Sequence, residues 1–155
     1  MLERDSRTPW ARIARALGVS EATVYLRVRK LQEQGILEGF TIRVNPRRMG
    51  FPSTVFLMVK VKAGFKREFA ERAKNLPYVV EVHEITGDYH FMVKALAPGS
   101  EEAIGGLIDM VTEMEGVEDV IVLYSIRTVL REAGIVSKLL KSRHEGGQAR
   151  ASGHK

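Results

Sequence analysis

Thr8 to Gly35 reads TPWARIARALGVSEATVYLRVRKLQEQG: two amphipathic helical runs broken by Gly18-Val19-Ser20. In the first run, Trp10, Ile13, Ala14 and Leu17 recur at i, i+3, i+4 and i+7, one face of a helix. Thr8 is positioned to cap it, with Pro9 at the first helical position, where a missing N–H does no harm. Gly18 ends the first run. Ser20 caps the second, and Glu21 sits in its first turn, where the helix dipole favours an anion. Val24, Val28 and Leu31 make its buried stripe, and Gly35 stops it. So short a connection sets two helices at a steep angle, which is a helix-turn-helix.

The outward face of the second helix gives that head a task. Ala22, Thr23, Leu26, Arg29 and Lys30 point away from the Val24/Val28/Leu31 stripe, with Tyr25 and Arg27 on its flanks. Small side chains near the N-terminus let a helix approach base edges. Basic ones further along reach guanine or phosphate. Charge agrees. Residues 1–49 carry ten Arg/Lys and five Asp/Glu, residues 50–137 nine and thirteen, and residues 138–155 five and one. Basic ends around an acidic middle suit a polyanion at the ends and another role between them.

Beyond Gly35, Thr41–Val44 reads as a short strand. Pro46, Gly50 and Pro52 then punctuate a linker over 46–52 that carries Arg47 and Arg48. The head therefore covers 1–45 and a second domain 53–137. This domain alternates: strand Ser53–Val61, a helix after Gly64 through Phe65, Phe69, Ala73 and Leu76, and strand Val79–Thr86. A two-residue hairpin at Gly87-Asp88 leads to strand Tyr89–Leu96 and a Ser100-capped helix through Ile104, Leu107, Ile108 and Val111. A last strand lies within Val117–Leu130. The order β-α-β-β-α-β is the ferredoxin-like plan, so the fold class is α+β.

That plan covers one sheet face with helices, yet the strands are apolar on both. Phe56, Met58, Val80, Val82, Met92, Val120, Val122 and Tyr124 add a second apolar set, with Val122 placed on the helix-free face. A bare apolar face implies an interface, here with a second copy in a two-fold dimer. The tail, 138–155, is basic, rich in Gly and Ser, and expected to be disordered.

Several functions are excluded. The absence of cysteine removes disulfide scaffolds, thiol nucleophiles and Cys-ligated metals. His83, His90, His144 and His154 lack metal-ligand spacing, so no metal or cofactor is expected. No unbroken apolar run is longer than the five residues of Val55–Val59, too short to span a membrane. MLERDSRTPW has no signal-peptide core, which places the protein in the cytoplasm by default.

The string TPWARIARALGVSEATVYLRVRKLQEQGILEGFTIRVNPRRMGF, followed by TGDY at Thr86–Tyr89, resembles the leucine-responsive regulatory protein/AsnC family of transcription factors. The resemblance spans Leu2 to Glu132. It implies a winged-helix-like head on a ferredoxin-like, RAM-type dimerising domain. Implied partners are double-stranded DNA, further copies of the chain from dimer to octamer, and an amino acid or other small-molecule effector. With the head read as DNA-binding, the candidate contacts are Ser20, Ala22, Thr23, Tyr25, Arg27, Arg29, Lys30, Arg47 and Arg48; the resemblance implies an effector loop at Gly87, Asp88, Tyr89 and His90.

Two departures stand out. Family members carry a further helix before the capped Thr; here Met1-Leu2-Glu3 resembles its end, which would leave Trp10, Ile13 and Val28 exposed and points to a start further upstream. The family hairpin continues G-D-Y-D, an acid suited to an amino-acid ammonium, where this chain has His90. Two alternatives remain beside a non-enzymatic regulator: a tetrapyrrole-processing enzyme of the siroheme decarboxylase type, which the family also resembles, and an effector-binding module without DNA binding.

Overall fold

The computed structural model describes residues 1–130, in two compact units, Met1–Arg43 and Val44–Thr128. The basic tail lies outside the described residues.

The first unit is built on α1 (Trp10–Leu17) and α2 (Glu21–Glu33). Ile13, Ala14, Val24 and Val28 form a small buried cluster, with Leu2, Trp10, Val19 and Leu37 packed around it. Ile13 and Val28 are thus buried, against expectation, and Trp10 is half-buried. Leu2 and Leu37, arriving from either side of the helix pair, supply that cover. Thr8 does not cap α1. Pro9 stands at the cap, while the Thr8 hydroxyl donates to the Asp5 carbonyl at 2.7 Å, closing a turn ahead of the helix. Gly18 does end α1, at φ 64°, in the left-handed conformation that glycine adopts without a Cβ penalty. Leu17 and Leu31, read as core, are 56% and 39% exposed. With only two helical turns against three and a half, α1 is too short to cover both ends of α2. Thr41–Val44 forms no strand; Ile42 and Val44 are exposed, without a neighbouring strand to pair with among the described residues.

The second unit is a four-stranded antiparallel sheet. β1 (Ser53–Val61) is followed by α3 (Lys66–Ala73), β2 (Val79–Glu84), β3 (Phe91–Ala97), α4 (Glu101–Thr112) and β4 (Val117–Tyr124). The spatial order is β2-β3-β1-β4, which puts consecutive β2 and β3 side by side and β1 in the middle. Alternation along the central strands is strict: Val55, Leu57, Val59 and Val61 of β1 and Phe91, Val93, Ala95 and Ala97 of β3 are buried. They pack with Phe69 and Ala73 of α3 and Ile104, Leu107 and Val111 of α4. Ser100 caps α4, its Oγ accepting from the Ala103 N–H at 3.3 Å.

Register settles the faces. Val122 pairs with Leu57 and Val120 with Val59, so both lie on the helix-covered side, as does Val82 opposite Val93. The expectation that Val122 faces away from the helices is therefore wrong. Both residue sets of β4 are apolar, so alternation could not tell its faces apart. Tyr124, opposite Val55, is exposed at the strand's end, and Val80 sits exposed at an irregularity in β2. The apolar side chains of the open face are Phe56, Met58, Met92, Leu96, Ile121 and Leu123, all exposed or half-buried. Among them, opposite Phe56 on the same face, Lys94 pairs with Glu81 of β2 at 2.5 Å.

β2 and β3 are joined more loosely than by a two-residue hairpin. The strands stop at Glu84 and restart at Phe91. The Ile85 N–H donates to the His90 carbonyl at 2.8 Å, and the turn between them takes four residues, Thr86–Tyr89.

Candidate nucleic-acid interface and effector loop

α2 presents the first site. Ser20 closes its N-terminus: Oγ accepts from the Thr23 N–H at 3.1 Å and lies 2.9 Å from the Thr23 hydroxyl. The Ser20 side chain thus marks where the helix begins. From there Ala22, Tyr25, Arg27, Arg29 and Lys30 are exposed and Thr23 is half-buried, while Val24 and Val28 anchor the opposite side. Leu26, expected on this outward face, is 61% exposed. Arg29 Nε is held by Glu33 Oε1 at 2.9 Å, one helical turn on. Arg47 and Arg48 are exposed too, but they sit in the 3-10 turn Pro46–Met49 of the other unit, where Asn45 Oδ1 accepts from the Arg47 N–H at 3.1 Å.

The β2–β3 loop presents the second site. Gly87 and Asp88 are exposed, and Tyr89 and His90 are half-buried. The Tyr89 hydroxyl donates to Asp119 Oδ2 on β4 at 2.5 Å. That bond, with some burial and the charges of Asp119 and Asp88, raises the phenol above its ordinary value. Asp119 was not visible as a partner from sequence, because thirty positions separate it from Tyr89 and only strand pairing brings them together. His90 donates its backbone N–H to the Val59 carbonyl at 2.9 Å, and its Nδ1 accepts the Val61 N–H at 3.1 Å. A separate groove of about 430 Å³ runs between α3 and β2, past Ala70, Lys74, Val79 and Phe91; no residue of the loop lines it. Among the described residues, no group of three or more His, Cys, Asp or Glu side chains could hold a metal ion, and no helix is long and apolar enough to cross a membrane.

A helix-turn-helix with an exposed basic face, in one chain with a ferredoxin-like unit that has an open apolar face, defines a DNA-binding transcriptional regulator with a separate ligand-binding domain. Residues 1–32 match the AsnC-type helix-turn-helix domain and residues 54–135 the Lrp/AsnC ligand binding domain, so this chain belongs to the Lrp/AsnC family of transcriptional regulators. It is 39% identical over 118 residues to the HTH-type transcriptional regulator FL11 of Pyrococcus furiosus, covering 76% of this chain and 78% of that one. Among solved structures, E. coli AsnC superposes with a TM-score of 0.78 at 25% identity, over 84% of this chain and 89% of its own. The M. tuberculosis feast or famine regulatory protein Rv3291c, solved with L-methionine, shares the fold with a TM-score of 0.76 at 20% identity, over 84% and 88%.

Proposed function

We propose that α2 is the helix that enters the major groove of an operator, with Ala22 and Thr23 at base edges and Arg27, Arg29 and Lys30 on phosphates or guanine. The observation that carries this reading is the Ser20-capped start of α2, which fixes the small residues at the end where groove-reading helices usually meet bases. Leu26 and Tyr25 offer apolar surface suited to a thymine methyl. Arg47 and Arg48 add phosphate contacts from the linker turn, positioning the chain without reading sequence. Selection of bound genomic fragments, followed by footprinting, tests the assignment. Protected half-sites spaced by whole helical turns are expected; protection without sequence preference would count against it.

The second unit dimerises through its open face and senses a small molecule at the β2–β3 loop. Support for an amino-acid effector comes from the related fold solved with L-methionine. The chain acts by binding, in the cytoplasm, and not by catalysis. A purified protein with a Soret band would instead favour the tetrapyrrole enzyme.

A further inference from the structure

The four candidate effector residues do not have equal freedom. The regular β1–β3 ladder ends at the pair Val59–Phe91. His90 continues it alone, the backbone N–H reaching the Val59 carbonyl and imidazole Nδ1 taking the N–H of Val61, the last residue of β1. Val61 is fully buried, so its amide has no water to turn to, and a buried donor without an acceptor is strongly disfavoured. On the other side of β1, Tyr89 reaches across to β4 and bonds Asp119 Oδ2, while Asp119 Oδ1 accepts the Val120 N–H at 2.9 Å. Asp119 thus bonds both the loop and its own strand.

We propose that Tyr89 and His90 are positioning residues that pin the β2–β3 loop to β4 and β1, leaving Gly87 and Asp88 as the loop positions open to a ligand. This rests on the reading of the loop as part of the effector site. It also changes what the departure at position 90 means. Nδ1 of His90 is taken up by the Val61 N–H, so the side chain at this position serves the end of β1 and is not the group that would meet an amino-acid ammonium. Discrimination falls to Asp88, whose carboxylate stands exposed at the tip of the loop, and to whatever faces it in the assembled protein.

Residue-resolved hydrogen exchange on the full chain tests the pins without a ligand. His90→Ala should speed exchange of the Val61 amide by about fivefold or more relative to Val93 in the core. His90→Asn, whose side-chain carbonyl can stand where Nδ1 stands, should restore it. Tyr89→Phe should speed the loop amides while leaving Val61 slow. A Val61 amide indifferent to His90→Ala, or as fast in His90→Asn as in His90→Ala, overturns the β1 pin; loop amides indifferent to Tyr89→Phe overturn the β4 pin. L-methionine, added to the wild type, tests the rest. Protection at Gly87 and Asp88 with Val61 unchanged supports the proposal, and release of the Val61 amide overturns it. Protection nowhere in the loop overturns the ligand half alone, because the Val61 result decides the pins independently.

Discussion

Ser20 and Thr23 show how much one local hydrogen bond can place. Ser20→Ala leaves an N–H of the first turn unpaired and should lower the stability of the head by about 1 kcal/mol, within the roughly 0.5–2 kcal/mol usual for lost caps. Urea denaturation followed by the fluorescence of Trp10, the one tryptophan in the chain, measures it where it happens. Glu33 sets a second expectation. Its carboxylate holds Arg29 in an exposed pair, which competes with a phosphate for the same guanidinium, so Glu33→Gln should tighten binding to every DNA sequence alike in titrations at fixed salt. The Ser20 cap was legible in the sequence because it acts three residues away. Thr8 misled because the same hydroxyl chemistry serves a turn at Asp5 instead. Asp119 and the Val61 cap were illegible: both depend on which strands become neighbours.

Among the elements, the sheet was easy to read in order and hard to read in orientation. β1 and β3 alternate so that one face is wholly buried, but β4 is apolar on both sides, and only its pairing with β1 puts Val122 inward. Two local features hold these strands. Gly116, just before β4, has φ 81°, and a Cβ there would collide with the Phe65 side chain. Gly116→Ala combines left-handed backbone strain with overpacking and should destabilise the second unit by about 2–5 kcal/mol, read from the midpoint of chemical unfolding. Glu81 and Lys94 tie β2 to β3. The Lys94 hydrogen bond, with a smaller share from His83 and against some desolvation, holds Glu81 below the ordinary carboxylate range. Its contribution to stability is therefore complete above the unfolded value of about 4.3 and fades as pH falls through the lower folded value. Unfolding midpoints measured at descending pH should drop less steeply in Glu81→Gln than in the wild type over that acid window.

For the whole molecule, the proposed roles are assembly of copies through the open face and contact with DNA through α2. Ile121 and Val122 are adjacent yet face opposite ways. Ile121→Asp should yield a folded chain of halved mass by light scattering with an unchanged far-ultraviolet spectrum, whereas Val122→Asp buries a charge in the core and should unfold the domain. An Ile121→Asp protein that keeps its mass would move the interface elsewhere. Whether α2 reads an operator is decided by equilibrium binding isotherms over a range of salt, on an operator and on its scrambled sequence, for the wild type, Thr23→Ala and Lys30→Ala. Phosphate contacts act through counterion release, so Lys30→Ala should weaken both DNAs alike and flatten the slope of log K against log salt by about 0.9. Thr23→Ala should lose about 1–3 kcal/mol on the operator only, with the slope unchanged. If Thr23→Ala weakens both DNAs equally, or Lys30→Ala alters neither affinity nor slope, α2 does not lie in the groove.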